Sequence, residues 1–159
     1  RLVRYSGQEG LGRPAVDDYG HGTELKTGDP FESNLQQIAR EAGRRGDRVL
    51  LLTLGSYLPK DYSPADFEAV RLDYGTGEAR HAVELWGKPD QVLAGIIEHN
   101  RRTRTVSMEA GHVDLLDLQE LIPADGRHFS DICHLTNTGQ RRFVDELVPA
   151  ILAILRPAR

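Results

Sequence analysis

The chain is poor in the features that would place it in several broad classes. One cysteine in 159 residues excludes an internal disulfide. No apolar run approaches the roughly 18–20 residues of a membrane-spanning helix, and no signal peptide is visible. Lys and Arg number 20 against 24 Asp and Glu, a net charge of −4. The sequence therefore predicts no membrane span and no basic face of the kind that a general nucleic-acid binder needs.

What remains is typical of a single domain that can bury a core. The hydrophobic content is 39% and the charged content 28%, and 159 residues fit one domain. The chain opens with Arg1 inside a short apolar, β-prone run over residues 1–6. We therefore expect residues 1–159 to form one domain that is incomplete at its N-terminus. The sequence leaves a cytoplasmic or a secreted location open, and the oligomeric state too.

Strand and helix signals alternate along the chain. Residues 49–54 are apolar on both faces, as in a central parallel strand covered on both sides. The pattern predicts an α/β fold with a parallel sheet and helices on both faces. Asp29 is expected to cap the first helix and Thr136 the last one. A wide buried apolar stripe is expected along the last helix, formed by Phe143, Val144, Leu147, Val148, Ile151, Leu152 and Leu155. The predicted strands are 1–6, 49–54 and 112–118, and the predicted helices are 30–45, 89–110 and 137–156.

Residues 55–88 read as an irregular insertion in which aromatic side chains concentrate. They could stack on a substrate, as a lid would, or simply pack the insertion onto the body. The aromatic residues are Tyr57, Tyr62, Phe67, Tyr74 and Trp86.

A long glycine-rich loop spans residues 7–29, and long loops in compact domains are usually functional or mobile. A phosphate cradle would need Gly-x-Gly-x-x-Gly between a strand and a helix. The segment starting at Gly10 lacks the third glycine and contains Pro14, which disfavours that interpretation.

The most informative stretch runs from Phe129 to Gly139, where Asp131 precedes His134 by three residues on a turn before the last helix. A nucleophilic serine needs a histidine to take its proton, and the histidine needs an orienting acid. Asp131 and His134 could supply that half of a triad. Spacing alone leaves open a structural role, with Asp131 capping the turn and His134 partly buried.

Two other chemistries of this stretch are disfavoured. His128, Asp131 and His134 could be called a metal site, but no His-x-x-x-His pair on a helix completes a ligand set. We therefore expect no metal and no other cofactor. Cys133 next to His134 suggests a cysteine nucleophile, but neighbours on an extended loop point to opposite sides. We expect Cys133 to be a small packed residue.

Four motifs carry a family resemblance. Residues 34–38 read Asn-Leu-Gln-Gln-Ile, residues 98–101 read Glu-His-Asn-Arg, and residues 113–118 form an apolar strand with aspartates. Residues 131–136 read Asp-Ile-Cys-His-Leu-Thr. With these motifs the chain from Phe31 to the C-terminus resembles the C-terminal portion of a bacterial SGNH (GDSL-like) hydrolase domain. The resemblance implies a three-layer, flavodoxin-like α/β/α fold.

The resemblance also implies an activity and site roles. His134 would be the general base and Asp131 its orienter in a serine esterase acting on a small-molecule carboxylic ester, such as an acetylated sugar or an acyl lipid. Gly7, Gln8 and Glu9 are the best match to the family's oxyanion loop. No Gly-Asp-Ser nucleophile block exists in the chain. Either that block precedes Arg1, or the chain is a degenerate relative that binds ligands or carbohydrate without cleaving them.

Overall fold

The protein is a mixed α/β structure, described here from a computed structural model over residues 26–77 and 79–155. In this part of the chain two strands form a parallel sheet and five helices surround it. The predicted strand at residues 1–6 lies outside the described residues. The elements are α1 Gly28–Arg45, β1 Val49–Leu52, α2 Pro64–Glu68, a single 3-10 turn at Val83–Leu85, α3 Pro89–Glu109, β2 Val113–Leu116, α4 Leu118–Leu121 and α5 Asn137–Leu155.

The boundaries of α1 and α3 follow from local chemistry. Gly46 ends α1 with φ 76°, a left-handed conformation that glycine adopts freely, and its N–H returns to the carbonyls of the last turn. The N-cap is Thr27 and not Asp29, which lies in the first turn, where a negative charge suits the helix dipole. Pro89 is the first residue of α3, as predicted.

The two strands pair in parallel with Val49 opposite Val113 and Leu52 opposite Leu116. This confirms the prediction of a parallel sheet for the described strands. Helix α3 makes the crossover between them, since a parallel pair cannot be joined by a hairpin.

Alternate strand residues enter two separate hydrophobic clusters. Val49, Leu51, Val113 and Leu115 pack with residues of α1 and α3. Leu50 and Leu116 pack instead with the loop around the fully buried Phe129 and with one side of α5. Each side of the strand pair therefore carries a hydrophobic cluster, which explains why residues 49–51 are apolar on both faces of the strand.

The wide buried stripe predicted for α5 is wrong. Within the described region only a narrow side of the helix packs on the body, through Phe143, Leu147 and Ala150. Their spacing of four and three residues selects one face. Ile154 is half-buried, whereas five other large apolar side chains of this helix are exposed, namely Val144, Val148, Ile151, Leu152 and Leu155. Pro149 lies inside α5.

A polar network joins the carboxyl ends of the strands to α3. The Thr53 hydroxyl donates to Asp117 Oδ1 at 2.7 Å, and Arg104 donates to both oxygens of Asp117 at 2.6 and 2.9 Å. The Arg104 hydrogen bond, helped by Thr53, holds the pKa of Asp117 below its usual value against the opposing effect of burial. The Asn100 amide binds both the N–H and the carbonyl of Leu54.

Among the described residues no helix is long and apolar enough to cross a membrane.

Candidate active site

A short closed loop carries the predicted pair. Phe129 and Leu135 form an antiparallel bridge, and the Ser130 N–H donates to the His134 carbonyl at 2.9 Å. Phe129 and Ile132 anchor the loop because their side chains are 0% and 1% exposed. The chain thus folds back on itself between Phe129 and Leu135, and residues 131–134 form the tip of this loop.

The tip lies at the carboxyl end of β1. The Tyr57 N–H, five residues after the end of that strand, donates to the Ile132 carbonyl at 3.0 Å. In parallel α/β sheets this end of the strands is where sites form. At the other end of the loop the Thr136 hydroxyl accepts the Gly139 N–H at 3.1 Å, so that Thr136 caps α5 as predicted.

The Asp131 and His134 side chains are hydrogen-bonded to each other. His134 Nδ1 lies 2.9 Å from Asp131 Oδ1 and 2.7 Å from Oδ2. A carboxylate can only accept, so this contact assigns the proton of a neutral imidazole to Nδ1. Nε2 is then left with a free lone pair, which is the form a general base needs.

The Asp131 carboxylate is fully buried and held by main-chain donors. Its exposure is 0%. Oδ1 accepts the N–H of Cys133 at 3.0 Å and that of His134 at 2.8 Å. Oδ2 accepts the N–H of His81 at 2.8 Å. Three main-chain donors on one buried carboxylate fix its position and so fix the imidazole that it orients.

His81 links the insertion to the site, a contact that sequence reasoning missed. The two residues are 50 apart in sequence, and the bond comes from the main chain of His81, so no side-chain motif signals it. The Ser130 hydroxyl makes a second link by donating to the Ala79 carbonyl at 2.8 Å. A Cβ at Gly77 would overlap the Ser130 side chain, so this close approach requires glycine.

The His134 ring remains accessible beside two other rings. Its side chain is 37% exposed. The His81 ring lies 5.4 Å from it between centroids, and the Trp86 indole lies 6.4 Å away with the planes 36° apart. Trp86 is 47% exposed. The four other aromatic residues of the insertion pack against one another or against the body.

A second Asp-x-x-His pair lies six residues earlier and was not singled out from the sequence. Asp125 Oδ1 contacts His128 Nδ1 at 2.7 Å and accepts the N–H groups of Arg127 and His128. Burial opposes ionisation of Asp125, but the contacts from His128 and the main chain outweigh it and lower the pKa. Exposure distinguishes the pairs: the Asp125 side chain is 42% exposed and His128 only 13%. Between these two pairs, a buried acid with an accessible histidine occurs at Asp131 and His134.

The serines of the described region do not present an activated hydroxyl. Ser130 is 0% exposed and already donates its proton. Ser33 lies on α1, Ser63 caps α2, and Ser107 bonds a carbonyl of its own helix α3. Ser56 follows β1 and is half-buried, without the Gly-Asp-Ser or Gly-x-Ser-x-Gly setting that exposes a nucleophile.

Cys133 lacks the environment of a nucleophile. Burial, with a smaller effect of the nearby Asp131 charge, raises its pKa to about 11. The thiolate is the reactive form, so this environment makes the thiol inert. Its sulfur lies 3.8 Å from His134 Nδ1, the nitrogen already engaged by Asp131.

The same facts weigh against a metal centre at this loop. Asp131, Cys133 and His134 bring three possible ligand atoms within 4.8 Å of one another. A zinc site would need Cys133 as a thiolate. It would also need lone pairs of Asp131 that already accept hydrogen bonds from main-chain N–H groups. This donor set therefore fits a hydrogen-bonded pair better than a cation.

The oxyanion residues expected from the sequence, Gly7, Gln8 and Glu9, lie outside the described residues, as does Ser6. Comparison with known proteins gives no family assignment: no protein-family model matches the chain, and neither a curated protein nor a solved structure matches it.

Proposed function

We propose that this chain supplies the acid–base half of an SGNH-type serine ester hydrolase. His134 is the general base, Asp131 is its orienter, and the substrate is a small-molecule carboxylic ester. The observation that carries this function is the contact between Nδ1 of an accessible imidazole and a fully buried carboxylate. Such a pair serves acyl transfer because the acid fixes the tautomer and stabilises the imidazolium.

The fold we propose around this pair is the three-layer, flavodoxin-like α/β/α arrangement, with residues 1–6 adding a parallel strand. The parallel register of β1 and β2 supports it, as do the hydrophobic clusters on both sides of these strands. In this arrangement the catalytic loop and the loop over residues 7–9 meet at the carboxyl end of the sheet.

The chemistry assigned to His134 balances as follows. Nε2 removes the proton of a serine hydroxyl while the serine oxygen attacks the ester carbonyl and the C=O electron pair moves to the oxygen. The C–O bond to the alcohol then breaks, and Nε2 gives that proton to the leaving oxygen. Water repeats the cycle to release the acid. The oxyanion donors are expected near Gly7, Gln8 and Glu9.

The decisive experiment measures p-nitrophenyl acetate hydrolysis by the protein at its natural length. His134→Ala should lower kcat to background, by about 10⁶-fold if the triad acts as a unit. His128→Ala is the matched control and should keep kcat, because His128 belongs to the other Asp-x-x-His pair. Equal rates for His134→Ala and wild type would refute the esterase. Ligand affinity that survives His134→Ala, without turnover by any variant, would identify the degenerate binding module.

A further inference from the structure

The indole of Trp86 lies next to His134, the proposed general base, and is about half exposed. It is the only tryptophan of the chain. Its side chain is 47% exposed, although tryptophan usually buries most of its surface. An exposed large aromatic ring beside polar groups is typical of ligand sites.

Three rings contact one another around the candidate base. The His81 ring is perpendicular to the indole at 6.1 Å and lies 5.4 Å from the His134 ring. The indole is 6.4 Å from the His134 ring. Together the His81 and Trp86 rings form a wall, here called the ring wall, along one side of the imidazole.

The main chain that carries the two rings of the ring wall is held by hydrogen bonds. The main-chain N–H of Trp86 donates to the carbonyl of Val83, a residue that is 0% exposed, at 2.9 Å. The main chain of His81 is fixed on Asp131. Gly87 follows with φ 147°, a conformation that favours glycine. A main chain that is already fixed loses little further entropy when a ligand binds next to it.

We propose that Trp86 is a specificity-determining residue. Its indole stacks on a ring in the alcohol part of the ester, such as the C–H face of a pyranose. Nε2 of His134 gives its proton to the leaving oxygen, so the alcohol part lies next to this imidazole. A ring one or two bonds from that oxygen comes within contact of the indole. The ring contacts of Trp86 in the described region are with imidazoles, which suits an alcohol bearing hydroxyl groups better than a lipid chain.

Because this role depends on the esterase function proposed above, the test has a kinetic arm and a binding arm. The kinetic arm compares methyl 6-O-acetyl-glucopyranoside with ethyl acetate, which has the same acyl group and no ring. Trp86→Ala should lower kcat/KM for the sugar ester about 10-fold and change that for ethyl acetate less than about 2-fold. Trp86→Phe should restore most of the difference. Phenyl acetate, as a third substrate, separates a preference for any flat ring from a preference for a sugar.

Leu85→Ala is the matched control. Leu85 lies in the same 3-10 turn and is also 47% exposed, so a general disturbance of the turn would affect both variants alike. Equal losses for both esters in Trp86→Ala, or equal effects of Leu85→Ala and Trp86→Ala, would overturn the assignment. A preference of wild type for phenyl acetate that disappears in Trp86→Ala would keep the stacking role and refute the sugar.

The binding arm needs no turnover. In the His134→Ala variant, methyl 6-O-acetyl-glucopyranoside should change the fluorescence of Trp86 in a saturable way, and Leu85→Ala in the same background should leave the curve unchanged. Saturable binding without turnover in the wild type would support the ring site and refute the esterase. The absence of any fluorescence change would overturn the ring site even if ester hydrolysis is found.

Discussion

Substituting Asp131 by asparagine tests the physical basis of the site most directly, because the change keeps the shape and removes the charge. Both carboxylate oxygens accept main-chain N–H groups: Oδ1 from Cys133 and His134, and Oδ2 from His81. An asparagine has one acceptor oxygen and one NH₂ group. In the better of the two orientations of the asparagine amide, the NH₂ group takes the position of Oδ2. It then faces the main-chain N–H of His81, so that two hydrogen-bond donors face each other.

The magnitude follows from that mismatch. A buried donor left unpaired costs about 1–3 kcal/mol, and hydrogen bonds to a charged acceptor are about twice as strong as neutral ones. We expect Asp131→Asn to lower the free energy of unfolding by about 2–4 kcal/mol. For a domain of this size that corresponds to a fall in Tm of roughly 5–15 °C. The expected loss in kcat is about 10⁴-fold, because the imidazole loses its orienting charge.

Asp125→Asn is the control within the same chain. Asp125 makes the same contact with a histidine three residues later, but its side chain is 42% exposed. Water can hydrogen-bond to the groups that the asparagine amide no longer pairs. We therefore expect the free energy of unfolding to fall by less than about 1 kcal/mol. Melting curves by circular dichroism, recorded at one pH for both variants, measure the difference. Equal melting temperatures for Asp131→Asn and Asp125→Asn would refute the account of Asp131 as a buried acceptor of three main-chain hydrogen bonds.

The remaining predictions concern the thiol, acid stability and the nucleophile. With its pKa raised to about 11, Cys133 should react with iodoacetamide at pH 7.5 about 300-fold more slowly than a free thiol of pKa about 8.5; a rate equal to that of free cysteine would contradict the burial. The pKa of Asp117 is lower in the folded protein than its unfolded value of about 3.9. Its pair with Arg104 therefore stabilises the fold above roughly pH 5. This contribution is lost as the pH falls through the unfolded pKa towards the folded pKa. Asp117→Asn should therefore melt below wild type at pH 6 and converge with it near pH 2, whereas a gap that stays constant over this range would show that the charge does not matter. Residues 1–159 alone should show no labelling by a fluorophosphonate probe, and stoichiometric labelling of any serine, Ser56 included, would identify a nucleophile and refute this expectation.

The sequence predicted the elements whose signals are local. The apolar run at residues 49–54 gave a parallel strand, Pro89 gave the start of a helix, and the Asp131–His134 spacing gave a hydrogen-bonded pair. In each case a few neighbouring residues decide the outcome. The catalytic role of the pair stays a prediction.

The rest depended on contacts between distant segments. The first helix begins at Gly28, one residue before Asp29, because both residues near its start make tertiary contacts: the Thr27 hydroxyl bonds His99, and the Asp29 carboxylate pairs with Arg102 on α3. The stripe of α5 was drawn too wide because an apolar side chain is necessary for burial but does not supply a partner surface. The His81 donor is a main-chain group, which every residue but proline carries, so no pattern in the sequence could point to it.

That main-chain bond has a consequence for how this site can change during evolution. The insertion contributes a peptide N–H to the acid and side chains to the space around the base. At His81 these two contributions come from different groups, the main-chain N–H and the side-chain ring. A new side chain at position 81 can alter which molecules fit without removing the donor that holds Asp131. Mutation can therefore vary selectivity and leave the Asp131–His134 pair intact, provided that the backbone at Gly77 and Ala79 stays next to Ser130.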